Sequence, residues 1–245
     1  MTAYAAARIL YLSVGFWLIL GAESYDAFSS NRLTVKPGES VTIPCYYDEK
    51  NTQLKKYWFS VNDKCNTYTN TTEENLSVID HPDQSLVTVT MRNLQEKHTG
   101  EYHCGVVPGG VIYKIYLQVQ DVPDVSVKSS SVSGHEGGNA SVQCFYSSGY
   151  RDTQKRWCRF KDEKFFREKK TNTSKNSSVQ ISDDGESSFT VLMTGLRLSD
   201  SGWYFCSAGE QILPLQLTVT TLESVSVNTD TGTHPDRWRF CLSHS

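Results

Sequence analysis

The chain lacks a basic excess. Its 24 Lys and Arg stand against 27 Asp and Glu, a formal charge of −3, whereas a general nucleic-acid binder needs surplus cations for phosphate contacts. Nucleic acid is therefore excluded as a partner. Catalytic signatures are missing too. The six His show no metal-ligand spacing, and there is no Gly-x-Ser-x-Gly elbow. No glycine-rich phosphate loop follows a strand, and His135-Glu136 lacks the second His of a zinc-protease helix. The expectation is a protein that is not an enzyme and has no metal and no cofactor. Long apolar runs are also scarce. Ile9–Leu20 spans about a dozen residues against the roughly 20 a membrane-crossing helix needs, and no later run is longer.

What is present points to packed cores in an oxidising compartment. Hydrophobic residues make up 38% of the chain, with 13 Tyr, 10 Phe and 5 Trp, which excludes wholesale disorder. Seven Cys suit the secretory pathway, and the odd number leaves at least one without an intrachain partner. Arg8, the apolar run, and then Gly21, Ala22 and Ser24 have the layout of a cleavable secretory leader over residues 1–22. Five acceptor sequons begin at Asn70, Asn75, Asn139, Asn172 and Asn176, as in an exported glycoprotein.

The chain repeats itself. Cys45 and Cys144 are 99 positions apart, as are Trp58 and Trp157, while Cys104 and Cys206 are 102 apart. Val41, Ile43 and Cys45 alternate with polar residues, as do Val87, Val89 and Met91. The second copy follows with Val142 and Cys144, then Phe189, Val191 and Met193. A period of two puts each set on one face of a strand, and turn formers such as Pro37-Gly38 and Asp184-Gly185 separate the runs. Both halves read as all-β.

In each half a Trp follows the first Cys by 13 residues, and Tyr102 and Tyr204 precede the second Cys by two. This Cys…Trp…Tyr-x-Cys layout resembles the immunoglobulin sandwich, in which a disulfide joins the sheets and the indole packs on it. It implies Cys45–Cys104 and Cys144–Cys206 bridges, with Trp58, Tyr102, Trp157 and Tyr204 in the cores. The expected organisation is two tandem V-type β-sandwiches. Domain one covers residues 25–120 and domain two 121–220, joined end to end through Val122-Pro123-Asp124. A disordered tail without a transmembrane helix covers 221–245.

Closer motifs resemble one branch of that fold. Val41-Thr42-Ile43-Pro44-Cys45-Tyr46-Tyr47, Lys55-Lys56-Tyr57-Trp58 and Glu101-Tyr102-His103-Cys104-Gly105 are similar to the V-type domains of the polymeric immunoglobulin receptor and CMRF-like leukocyte receptors. So are Lys155-Arg156-Trp157-Cys158-Arg159-Phe160 and Asp200-Ser201-Gly202-Trp203-Tyr204-Phe205-Cys206. Antibody and T-cell-receptor chains differ, because Val111–Tyr116 stands where they carry Phe-Gly-x-Gly. This chain also departs from the branch: Phe59 replaces a Cys beside a solitary Cys65, Cys158 faces Lys164, and His98 stands where domain two has Asp200.

The resemblance implies an immune-type receptor ectodomain, secreted as written and plasma-membrane-bound in the family's full-length form. It would bind polymeric immunoglobulin or cell-surface ligands and regulate immune responses. A homophilic or heterophilic adhesion module is the alternative. Three surfaces are candidates. The loop with Tyr47, Asp48, Glu49, Lys50 and Leu54 corresponds to the loop through which polymeric immunoglobulin receptors contact antibody. The hairpin of Val106, Val107, Pro108, Val111 and Ile112 is apolar for a loop, suiting a contact patch or lipid-insertion tip. Arg151–Lys170 carries nine basic and four acidic residues, a stripe suited to anionic lipid or glycan unless it is a solvated edge. Cys65, Cys158 and Cys241 are left over from the anchor pairs. Cys158 is expected to face away from Trp157, and Cys241 to form disulfide-linked dimers or mixed disulfides, with Cys65 and Cys158 capped or also intermolecular; a Cys65–Cys158 clasp between the domains is the alternative.

Overall fold

A computed structural model describes residues 31–161 and 179–221. The leader, the tail with Cys241, the sequons at Asn172 and Asn176, and residues 162–170 of the basic stripe lie outside the described residues. Nine strands form the first sandwich: β1 (Asn31–Val35), β2 (Val41–Tyr46), β3 (Lys55–Ser60), β4 (Cys65–Tyr68), β5 (Thr71–Thr72), β6 (Leu76–His81), β7 (Leu86–Met91), β8 (Gly100–Val107) and β9 (Gly110–Val119). Eight form the second: β10 (Val125–Val127), β11 (Ser131–His135), β12 (Asn139–Tyr146), β13 (Lys155–Arg159), β14 (Val179–Asp183), β15 (Ser188–Thr194), β16 (Gly202–Ala208) and β17 (Gln211–Thr220). Among the described residues there is no α-helix, so none long and apolar enough to cross a membrane.

The period-two pattern produces the cores directly. Val41, Ile43 and Cys45 of β2 face Met91, Val89 and Val87 of β7, and all six are buried. In domain two, Val142 and Cys144 face Val191 and Phe189 in the same way. Cys45 is bonded to Cys104 and Cys144 to Cys206, with Cα atoms 6.4 and 6.5 Å apart. Trp58 stacks on Tyr102 at 5.2 Å between ring centroids, and Trp157 on Tyr204 at 5.1 Å. The two domains thus repeat one core around one bridge. Closing loops of 59 and 62 residues stabilises each by about 4 kcal/mol through the lost chain entropy of the unfolded state.

The corner before β8 and β16 is also repeated, with a chemical substitution. The Tyr102 hydroxyl donates to the carbonyl of His98 at 2.8 Å, and that of Tyr204 to the carbonyl of Asp200 at 2.9 Å, the corner typical of such sandwiches. In domain two the Arg197 N–H donates to the Asp200 carboxylate at 2.8 Å; in domain one the Gln95 N–H donates to Nδ1 of His98 at 3.0 Å. A neutral imidazole therefore does the carboxylate's work. Burial and then Lys97 hold the His98 pKa below its ordinary value, against a smaller opposing pull from Asp63. Burial, followed by the Asp63 charge, pushes Tyr102 up to about 12.

The domains are not simply end to end. β1 pairs along its length with β9 and, at Arg32 opposite Gln211, with β17, so one nine-stranded sheet runs β13-β16-β17-β1-β9-β8-β3-β4 through both, with β11 as the ninth strand, paired to β17. The Arg32 N–H donates to the Glu210 carbonyl at 3.2 Å, and the Asp124 N–H to the Thr34 hydroxyl at 2.8 Å. Phe160, Phe205 and Ile212 of domain two belong to the same buried cluster as the domain-one core. Phe160 lies edge-on to Phe205 at 4.9 Å and to Tyr113 at 6.3 Å. These residues face away from domain two's own core, where Trp157 and Cys206 point inward. The short linker therefore lays domain two's outer sheet face against domain one.

Candidate functional site

The loop between β2 and β3 is anchored before it begins. Tyr47 is buried, and its hydroxyl donates to Asp80 on β6 at 2.8 Å. The Lys56 ammonium, with its side chain 3% exposed, lies 3.0 Å from the other Asp80 oxygen, 4.4 Å from the Tyr47 ring centroid, and donates to the Thr52 carbonyl. Burial, then the bond to Asp80, raises the Tyr47 pKa far above its ordinary value. A buried ammonium is tolerated only with this much compensation. Domain two repeats the arrangement: Tyr146 donates to Asp183 at 2.7 Å, and Lys155 lies 3.4 Å from Asp183 and 4.1 Å from the Tyr146 ring. Burial opposes ionisation of Asp183, but Tyr146, the Gly185 N–H and Lys155 outweigh it and hold the carboxyl below its usual range. Tyr47 thus belongs to the base of the loop, not its tip.

Asp48, Glu49 and Lys50 are exposed, and Leu54 is half-buried. The Asp48 carboxylate accepts the Lys50 N–H at 3.2 Å and turns the chain there. Pairing of Lys55 with Val107 and Lys56 with Val106 sets the β8–β9 hairpin beside this loop. Val106 points inward and is buried, on the side of Tyr102 and Cys104. Val107 and Val111 are 47% and 39% exposed, Pro108 is exposed, and Ile112 is half-buried against the core. Gly110 turns the hairpin at φ +87°, in the left-handed region that favours glycine. The structure therefore brings Asp48–Lys50, Val107, Pro108 and Val111 together at one end of domain one, and places Tyr47 and Val106 beneath them.

Other sequence candidates fall elsewhere. Within the described part of the basic stripe, Lys155 is spent on the buried triad, and the Arg159 guanidinium donates to the carbonyls of Ser199 and Ser201, both at 2.9 Å. Cys158 is half-buried on the face of β13 that meets domain one, and Cys65 is exposed on β4. Asn70, Asn75 and Asn139 are exposed. Among the described residues no group of His, Cys, Asp and Glu is arranged to hold a metal ion. The Tyr–Lys–Asp triads went unread in the sequence, although Tyr47/Tyr146 and Lys56/Lys155 share the 99-residue offset. An outward aromatic row on β3 and β8 was missed as well; alternation about Trp58 and Cys104 was its signal.

The pattern of the immunoglobulin V-set domain matches residues 28–120 and again 127–223. The chain belongs to the immunoglobulin V-set family. Within it, the chain stands with the polymeric immunoglobulin receptor and CMRF35-like group. It is 25% identical to the rat polymeric immunoglobulin receptor over 199 residues, covering 71% of this chain and 25% of that receptor. The match to mouse CMRF35-like molecule 3 reaches 41% over 81 residues, 31% of this chain and 33% of the relative. The crystal structure of the teleost fish polymeric Ig receptor ectodomain is 37% identical, covering 78% of this chain and 97% of that one, with a TM-score of 0.38. The chain spans about a quarter of the length of the mammalian polymeric immunoglobulin receptors it matches.

Proposed function

We propose that this chain is the extracellular, ligand-recognising part of an immune receptor, and that domain one captures a protein ligand, polymeric immunoglobulin, without performing chemistry. The observation that carries this reading is the exposed apolar hairpin of Val107, Pro108 and Val111. It is seated beside the charged Asp48–Lys50 turn on a base held rigid by Tyr47, Lys56 and Asp80. Apolar side chains on a stiff tip, rimmed by charges, bind at low ordering cost. The names of the relatives supply the ligand class. The leader over 1–22, glycans on the exposed Asn70, Asn75 and Asn139, and a membrane-bound receptor form belong to the same proposal.

The test is surface plasmon resonance with polymeric IgM as analyte over the captured ectodomain, beside a Val107→Asp variant. Wild type is expected to bind, and the variant to lose about tenfold or more in affinity with its melting temperature unchanged. A folded Val107→Asp variant that binds as tightly as wild type would move the site off this end.

A further inference from the structure

Apart from Val107 and Val111 at its loop end, the outward face of β4, β3, β8, β9 and β1 in domain one is used by neither the core nor the loop tips. Trp58, Cys104 and Ile115 point inward, so Tyr57, Phe59, His103, Lys114 and Tyr116 point out. Strand register sets them in rows: Tyr68, Tyr57, Gly105 and Val111, then Asn66, Phe59, His103 and Lys114. Glu101, Tyr116 and Arg32 complete the face. The Tyr57 ring occupies the space beside Gly105, where an added Cβ would stand 2.3 Å from the ring. Lys55 sits 3.5 Å from the Tyr68 ring centroid and Arg32 4.8 Å from that of Tyr116, while Phe59 and His103 lie 6.0 Å apart. All the aromatic side chains of these rows are half-buried.

Three observations bear on what covers this face. The matching face of domain two, with Cys158, Phe160, Phe205 and Ile212, is packed against an immunoglobulin domain of the same chain. The described sequons lie off it: Asn139 on β12 of the other sheet, and Asn70 and Asn75 on either side of β5. Arg32, Lys55 and Lys114 against Glu101 leave two positive charges in excess, so a second copy would oppose like charges, whereas a carboxylate-bearing surface would complement them. Tyr57, Tyr68, Tyr116 and Arg32 on this face are of residue types enriched among interface hot spots.

We propose that this face, continuous with Val107 and Val111, is where an immunoglobulin domain of the polymeric ligand docks, sheet against sheet, with its carboxylates on Arg32, Lys55 and Lys114. The proposal rests on the receptor reading given above. It is tested with polymeric IgM over the wild-type ectodomain, a Phe59→Ser variant and an Arg32→Glu/Lys114→Glu variant, each checked by melting temperature and run at low and physiological salt. Wild-type binding is expected to weaken as salt rises. The charge variant is expected to lose about tenfold or more in affinity together with most of that salt dependence, and Phe59→Ser to lose a similar factor. If wild type binds and Val107→Asp abolishes binding, but folded face variants bind like wild type, the sheet-face proposal falls and the receptor reading stands. A wild type that does not bind IgM overturns both. Should Phe59→Ser fail to fold, the half-exposed charge pair still decides the matter.

Discussion

Phe205→Ala is the perturbation that separates two ways of joining these domains. On β16 the side chain faces away from Cys206, so in a domain free on all sides it would be exposed, and truncation would change stability by no more than about 0.5 kcal/mol. Here it is 6% exposed, in the cluster with Phe160, Ile212 and Tyr113. Removing a fully packed Phe ring costs about 3–5 kcal/mol; a seam between two domains closes more readily than a core, so about 2–3 kcal/mol is expected. In a chain of this size that corresponds to a drop of about 5–10 °C in melting temperature if the domains unfold together. Scanning calorimetry would show it as one shifted transition. A cycle with Tyr113→Leu adds a second reading, because residues sharing a cluster couple by about 0.5–3 kcal/mol. A cost within about 0.5 kcal/mol and no coupling would refute the shared seam.

Two further perturbations follow from the repeated elements. Folding lowers the His98 pKa from an unfolded value of about 6.5, so the unfolded chain binds more protons once pH falls below that value. The His98 cap therefore contributes its full stability above about pH 6.5 and loses it on acidification. Melting curves at pH 7.5 and 5.5 should show domain one weakening in wild type and not in His98→Asp, while Asp200→His should carry the same acid sensitivity into domain two; equal pH dependence in all three would reject the cap's role. Asp80→Ala leaves the Lys56 ammonium buried without its carboxylate and should cost about 3–5 kcal/mol, whereas Lys56→Met/Asp80→Leu together should cost far less. Urea unfolding distinguishes these, and equal losses would contradict the triad's energetics.

What was legible in the sequence was what the core dictates. Cysteines, tryptophans and tyrosines recurring at offsets of 99 and 102 residues could only serve one packing scheme twice, and alternation fixed which side of each strand faces the domain's own core. Val106 is a case where the same alternation, continued from Tyr102 and Cys104, already pointed inward although the hairpin reads as uniformly exposed. Tyr47 was harder, because it opens a polar loop and its partner Asp80 comes from a distant strand. His98 reads as a lost Asp, yet its ring nitrogen accepts the same backbone N–H. The seam was out of reach: alternation sends Phe160 and Phe205 outward, and nothing local says that another domain waits there.

The central claim is that domain one takes the ligand, through the loop end and the sheet face behind it. Hydrogen exchange of the chain, with and without saturating polymeric IgM, tests this most directly. The account predicts slowed exchange in residues 48–59 and 101–116, with residues 139–146 and 188–194 of domain two unchanged. Protection confined to domain two, with domain-one exchange unaltered by a bound ligand, would contradict it.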